Sequence, residues 1–469
     1  MKNLKTDYLI VGAGAMGMAF SDTILKESEA SILIIDKQDR PGGHWNNSYP
    51  FVRLHQPSSF YGVNSRKLGN DTIDAVGWNE GLFELASGSE VVTYFDQVMQ
   101  QQFLPTGRVQ YFPMCEYLQD NQFKSLITGQ TFSVSVGKKT VDATYMNVTV
   151  PSMRKPDYEV AASVRCVPLN ELPKQHLTDD LFEEYTVIGA GKTGMDACLW
   201  LLKNKVSPQA IRWIMPRDSW MFDRKNIQPG AEFFDDAVTN IADQAEAIGK
   251  ASSLDDMFER LHECGHLLRF TDDVKPTMWR CATVTKLELE QLRKISNIVR
   301  MGRVRSINDT KIHLDDGDIK ITQRNLFVDC SADGLERRPA VPVFNGDQLT
   351  LQTVRTCQQV FSAAFISHVE LAYTDENEKN DLCQVVPHPD SDTDFVRASL
   401  QNNLNAQRWS QDNALQSWLM TSRLDGFSRT PEELSGLTDA QQKVIVKLLT
   451  NTPLATTRLQ ELLTEIESG

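Results

Sequence analysis

Tyr8-Leu9-Ile10-Val11-Gly12-Ala13-Gly14-Ala15-Met16-Gly17 sets an apolar run against a Gly-x-Gly-x-x-Gly pattern. The segment behind it, Met18 to Glu27, reads as helix, and a second apolar run, Ser31 to Ile35, ends at Asp36. That order predicts strand, tight turn, helix and strand. Gly12 permits the turn, Gly14 lets the backbone approach a pyrophosphate, and Gly17 lets helix and strand pack closely. Ala15 and Met16 are cofactor-binding candidates within the turn, and the N-terminus of the helix that follows turns partial positive charge toward phosphates. Asp36 stands where a carboxylate accepts hydrogen bonds from ribose hydroxyls.

The pattern returns at Tyr185-Thr186-Val187-Ile188-Gly189-Ala190-Gly191-Lys192-Thr193-Gly194, with helix expected to about Leu202 and a strand over Ala210 to Met215. Gly191-Lys192-Thr193 resembles the end of a nucleotide-triphosphate loop, but that motif needs glycine where Thr186 stands. The second unit ends on Arg217, with Arg224 beyond, where the first has its carboxylate. A guanidinium there suits the 2′-phosphate of NADP; the competing reading is a solvated Arg217–Asp218 pair.

Between the two units, Pro41-Gly42-Gly43-His44-Trp45-Asn46-Asn47 follows Asp36 and Lys37. Pro-Gly-Gly makes a turn that can approach a ligand, and Trp45 can stack on a flat cofactor. Val52-Arg53-Leu54-His55-Gln56-Pro57 reads as a loop lining something. Residues 88–103 read as helix, 109–115 as a short strand, and 122–135 and 138–150 as paired strands around Gly137. Pro151, Pro156, Pro168 and Pro173 mark a connector. Residues 231–300 are a largely helical insertion. Strands follow to Ile321, with a hairpin turn at Asp315-Asp316-Gly317. The buried run Leu326-Phe327-Val328-Asp329-Cys330 brings Asp329 toward a cofactor, and residues 392–469 are helical.

With 469 residues, the chain holds two or three domains. Its net charge of −14 argues against nonspecific nucleic-acid binding. No stretch reaches the ~18 uninterrupted apolar residues of a membrane helix. Lys2 and Lys5 precede an apolar run, but Asp7 and the glycine pattern oppose a signal peptide. The eight cysteines form no C-x-x-C pair, which predicts free thiols in a reducing cytoplasm. His262-Glu263-Cys264-Gly265-His266 is a literal H-E-x-x-H, but Gly265 weakens the helix that a zinc site needs, so no metal is expected.

The two fingerprints, Gly42-Gly43-His44-Trp45 and the Arg53-to-Pro57 loop together resemble the flavin-containing monooxygenase group and its N-hydroxylating and Baeyer–Villiger relatives. The resemblance spans roughly 7–62 and 185–225, and extends to 325–334. It implies an α/β fold of two Rossmann-like dinucleotide-binding domains, the FAD domain discontinuous and the NADPH domain inserted. Residues 1–180 and 323–391 would form the FAD domain, 181–322 the NADP domain, and 392–469 a helical C-terminal region. It further implies that NADPH reduces FAD, and that a flavin C4a-(hydro)peroxide passes oxygen to a small nucleophilic substrate. Cys115 would contact adenine through its backbone, while Gln56 or Asn47 would hydrogen-bond the reacting flavin. His55 is a further candidate acid or base. The family's Phe-x-Gly-x-x-x-His signature is missing from Tyr158 to Arg165. Two other readings stand beside oxygen transfer: a reductase that hands electrons on, which the lack of paired redox cysteines disfavours in its disulfide form, and a non-enzymatic dinucleotide sensor.

Overall fold

The computed structural model describes residues 2–177, 182–322 and 324–468. The predicted boundary at 180/181 lies outside the described residues, and that at 322/323 falls between Thr322 and a position outside them.

β1 (Lys2–Val11) enters the first glycine turn, α1 (Ala15–Glu27) returns from it, and β2 (Ile32–Ile35) pairs with β1 in parallel, Tyr8 opposite Ile32. All four residues of β2 are buried, as a parallel sheet covered on both faces requires. α2 (Gly88–Val98) starts on a reciprocal Ser87–Glu90 capping box, and β3 (Val109–Phe112) extends the sheet beyond β2. β4 (Cys115–Gln119) and β5 (Gln122–Ser125) form an antiparallel excursion. β6 (Thr131–Asp142) then pairs with β1 in parallel along its length. The sequence predicts two strands about Gly137; a single strand runs through it instead. Gly137 is not in the left-handed region; it sits at an irregularity in the ladder with β1, which pairs on either side of it, Thr6 with Val136 and Tyr8 with Lys139, so the strand carries on through.

The second unit opens with β7 (Glu159–Val160), β8 (Cys166–Pro168), α3 (Leu172–His176), β9 (Glu184–Ile188), α4 (Lys192–Lys203) and β10 (Ile211–Ile214). β11 (Ser219–Asp223), α5 (Phe234–Gly249), α6 (Leu254–Glu263), β12 (Leu267–Leu268), β13 (Met278–Val284) and α7 (Lys286–Leu292) follow. It closes with β14 (Asn297–Val299), β15 (Val304–Ile307), β16 (Lys311–Leu314), β17 (Gly317–Lys320) and β18 (Asn325–Asp329). The insertion at 231–300 is thus helical at first and then contributes strands to two sheets. β14, β10, β9, β18 and β8 lie side by side in one parallel sheet. This corrects the expectation for 325–329: β18 belongs to the sheet of the second glycine turn, between β9 and β8, and not to the returning part of the first.

The return is made by β19 (Phe344–Asn345) and β20 (Gln348–Thr350), which adds to β6 in parallel. α8 (Gln359–Ala372) then lies on α1, its Ser367 hydroxyl donating to the Phe20 carbonyl at 3.0 Å. α9 (Glu376–Leu382), α10 (Asp392–Trp409), α11 (Asn413–Thr421), α12 (Pro431–Ser435) and α13 (Asp439–Ser468) follow. α13 packs against α5 and α10, and its Ala455, Leu459 and Leu462 share a core with Trp220, Phe258 and Trp279. No helix among the described residues is long and apolar enough to cross a membrane.

α6 stops at Glu263, and Gly265 turns the chain with φ of 74°. The two imidazoles of the H-E-x-x-H stretch therefore do not share a helix face. His262 meets the Leu267 carbonyl, and buried His266 meets the Asn240 side chain.

Candidate functional site

Both glycine turns sit where a strand of a parallel sheet passes into a helix, and they are built alike. Gly12 and Gly189 take φ of 106° and 122°. Their amides donate to the ends of the neighbouring strands, Ile35 and Ile214. α1 and α4 begin on glycine N-caps, Gly14 and Gly191, without a side-chain cap. By contrast, Ser87, Ser253, Thr285, Asp375, Ser391, Asp412 and Thr430 each cap their own helix. The first-turn amides of α1 and α4 are thus left for an anion. Above Gly191 the space a Cβ would occupy is open. These features fit the phosphates of a dinucleotide at each turn.

At the first turn, the Gly42 amide donates to the Ala13 carbonyl at 2.9 Å, which docks Gly42-Gly43 against Gly14. Two backbone amides hold Asp36: Ala13 donates to one carboxylate oxygen at 2.5 Å and Gln38 to the other at 2.7 Å. Burial raises the pKa of this carboxyl, and both bonds oppose the rise. Each oxygen keeps acceptor capacity for a ribose. The His44 and Trp45 rings adjoin, and the Trp45 indole donates to the Tyr61 hydroxyl at 2.7 Å. Ala15 and Met16 are buried at the start of α1. Lys37 points into solvent and pairs with Glu116 at 2.9 Å. The Cys115 amide donates to the Asp36 carbonyl, so that backbone donor serves the strand edge. The Asn47 carbonyl ties the loop to Ser152 and Asn170.

At the second turn, a cavity of about 500 Å³ is lined by Gly189, Gly191, Lys192, Thr193 and Arg217. His55, Gln56 and Gln358 of the first unit wall the same cavity. The structure therefore brings His55 and Gln56 together with the second turn, while Asn47 is not among the lining residues. Lys192 pairs with Asp196, which also accepts from the Tyr49 hydroxyl at 2.5 Å. Asp329 lies beside this turn. One of its oxygens accepts from the Ser331 amide and hydroxyl and the Tyr158 hydroxyl; the other is buried without a partner. Burial pushes the Cys330 thiol well up, as suits a packing residue.

Arg217 is not paired with Asp218. Arg300 holds Asp218 through both of its carboxylate oxygens. Arg217 reaches Asp390 at 2.9 Å, where Arg280 and Arg337 converge as well. Burial opposes the Asp390 charge, but the guanidinium contacts of Arg217 and Arg280 hold its carboxyl down at about 2. Arg303 and Arg305 line the cavity too. Their spacing of two on extended chain, which puts both on one face, is the sequence signal that could have found them. Arg280, His388 and Asp390 arrive from distant segments and carried no local signal.

Two expectations are overturned. Arg224 is fully buried and cannot meet a cofactor. Its guanidinium donates to the His55 carbonyl at 3.0 Å, Asn79 at 3.0 Å, the Thr283 carbonyl at 3.3 Å and Glu288 at 2.9 Å. The cysteines are not all free: Cys281 and Cys357 form a disulfide, and both line the cavity.

His55 is half-buried, with its Nδ1 enclosed and unpartnered. Burial, then Lys192 and Arg224, push its pKa down to about 3. Burial likewise takes His44 to about 4, His266 to about 3 and His388 to about 4. Each is neutral when folded and takes a proton near its ordinary 6.5 only when unfolded. Their contribution to stability is complete above that value and is lost as pH falls toward 4. Asp392, raised by burial to about 6, works in the opposite direction. Denaturant unfolding at pH 5 should show about 1–2 kcal/mol less stability per histidine than at pH 7. His55→Gln should remove one such share. A stability unchanged between the two pH values would contradict these neutral burials.

Residues 10–57 match the model of an NAD(P)-binding Rossmann-like domain. Over 444 residues the chain is 54% identical to uncharacterized protein Rv2000 of Mycobacterium tuberculosis, covering 95% of this chain and 82% of that one. The same values hold for uncharacterized protein Mb2023 of Mycobacterium bovis. Among solved structures, a flavin-containing monooxygenase from Stenotrophomonas maltophilia overlays with a TM-score of 0.46 at 13% identity, over 79% of this chain and 98% of that one. Cyclohexanone monooxygenase from Rhodococcus, bound to NADP+, overlays with a TM-score of 0.47 at 12% identity, over 79% and 84%.

Proposed function

The chain belongs to one family with these mycobacterial proteins, and we propose that it is an FAD-dependent oxidoreductase reduced by NADPH, acting as a monooxygenase on a small nucleophilic substrate. The observation that carries this reading is the shared wall. A cavity built on the second glycine turn is closed by His55, Gln56 and Gln358 of the unit that bears the first. A dinucleotide on each turn then places two reactive rings near one boundary.

FAD on the first turn would supply the chemistry, taking hydride from NADPH and passing electrons to oxygen. The amides of α1 and the Gly42-Gly43 turn would hold its phosphates, and Asp36 its ribose. Gly191 and the amides of α4 would hold the phosphates of NADPH, with Arg217 on the 2′-phosphate. Neutral His55 offers a hydrogen-bonding nitrogen without adding charge, and Gln56 an amide that donates without losing a proton.

The test is spectroscopic. Purified protein should be yellow, should bleach anaerobically with NADPH faster than with NADH, and on mixing with oxygen and a nucleophilic amine or sulfide should give oxygenated product. Reoxidation with no product across such a screen would move the assignment to an electron-transferring reductase. Protein that binds FAD but is not reduced by NADPH would favour a sensor. Arg217→Ala should weaken NADPH about tenfold, the loss of roughly 1.4 kcal/mol expected of one charge-assisted contact. NADH should change less than about twofold. Equal losses would show that Arg217 does not read the 2′-phosphate.

A further inference from the structure

The cavity at the second glycine turn holds one reactive group that dinucleotide binding leaves without a task, the Cys281–Cys357 disulfide. Cys281 lies on β13 in the second unit. Cys357 lies between β20 and α8, on the returning part of the first. The two are 76 residues apart, with Cα atoms separated by 6.6 Å. Cys281 is aimed by a bulge. β11 and β13 pair at Trp220–Trp279 and again at Phe222–Thr283, so Arg280, Cys281 and Ala282 stand opposite Met221 alone. Such bulges re-aim side chains beside functional sites. Cys281 there takes φ of 56° and leaves the ladder. Cys357 sits one residue before Gln358, the uncapped N-cap of the 14-residue helix α8.

We propose that this disulfide is a thiol–disulfide exchange site for small anionic thiols entering through the cavity. A thiolate attacks Cys281 Sγ; the Cys281–Cys357 bond breaks, its electron pair leaves on Cys357, and a mixed disulfide forms on Cys281. A second thiolate attacks the incoming sulfur and expels Cys281. Two thiols are oxidised to one disulfide, and the two cysteines are reduced, each taking a proton. Cys357 is the leaving group because a thiolate beside a helix N-terminus is stabilised and departs faster. Arg217, Arg280 and Arg303 line the approach, which favours an anionic thiol over a neutral one. Among the other cysteines, Cys115, Cys198, Cys330 and Cys383 are buried and their thiols are raised by burial.

The experiment uses the whole native protein in glutathione buffers of stepped reduced-to-oxidised ratio, followed by maleimide trapping and peptide mass mapping. Cys281 and Cys357 should become labelled together, while Cys198 and Cys383 stay unlabelled until denaturant is added. In Cys281→Ser, oxidised glutathione should add to Cys357 at least tenfold faster than it adds to Cys281 in Cys357→Ser. Labelling of both cysteines before any glutathione is added, or a bridge that opens only in denaturant, overturns the proposal. Comparable adduct rates in the two variants overturn the assignment of Cys357 as leaving group. One clause rests on the functional reading: saturating NADPH, by filling the cavity, should slow exchange at least fivefold. If exchange proceeds as described but NADPH does not slow it, the exchange site stands and the NADPH reading of this cavity falls.

Discussion

Gly17→Ala is expected to yield a protein that purifies without bound flavin and is about 2–4 kcal/mol less stable. A Cβ at Gly17 would penetrate the Gly12 carbonyl oxygen and crowd the Gly12 carbonyl carbon and Ala143 Cβ, both at 3.2 Å. Gly12 cannot yield. Its amide is fixed to Ile35, and its own φ of 106° is the conformation the turn requires. Helix α1 must therefore lift off β1, carrying its first-turn amides away from the phosphates. Gly194→Ala is the matched control, since its Cβ meets the Gly189 carbonyl oxygen in the same way. That oxygen also accepts the Trp213 indole at 2.8 Å. Gly194→Ala should keep the yellow colour and lose reduction by NADPH. The visible spectrum and the anaerobic reduction rate separate the two variants. A fully flavinated Gly17→Ala protein would remove FAD from the first turn.

Arg224→Ala should cost about 3–5 kcal/mol, the range for stranding a buried charge. Glu288 would lose its guanidinium at 2.9 Å, and the His55 and Thr283 carbonyls and Asn79 would lose their donor. The damage reaches the cavity because Arg224 fixes the backbone of His55, which lines it. NADPH binding should weaken even at temperatures where the variant stays folded. Urea unfolding of Arg224→Ala, Glu288→Ala and the double variant closes a cycle. The double loss should fall short of the summed single losses by more than about 1 kcal/mol. Additive losses would show that the two side chains act independently.

The glycine turns were legible in the sequence because each is one local supersecondary unit, its conformational demands written at three glycines and the flanking apolar runs. Strand order is not local. Asn325 to Asp329 reads as a buried strand from composition, but which sheet receives it depends on β8 and β9, far away in sequence. Gly137 was misread as a turn for a related reason: a glycine between two β-rich runs looks like a break until the strand that pairs on either side of it is known. Arg224 carried the opposite ambiguity. A guanidinium just past a strand can meet a phosphate or a buried carboxylate, and the deciding Glu288 lies 64 residues on. The Cys281–Cys357 bridge and the convergence on Asp390 join segments that share no pattern.

The position of α13 bears on the order in which this protein can be made. Its Leu459 and Leu462 complete the core around Trp220 and Trp279, on the two strands that flank the second cavity. Lys447 reaches Asp243 and Glu246 on α5, and the Arg458 guanidinium donates to the Ala251 carbonyl. During synthesis, the first glycine turn and its paired strands leave the ribosome early. The second cavity's walls run to His388, but the core behind two of its strands is not complete until residues up to 462 have emerged. Until then β11, β13 and α6 keep exposed the part of their aromatic surface that α13 covers beside α10. A nascent chain stalled short of residue 439 should therefore look finished at its first nucleotide fold and be recognised by chaperones at its second.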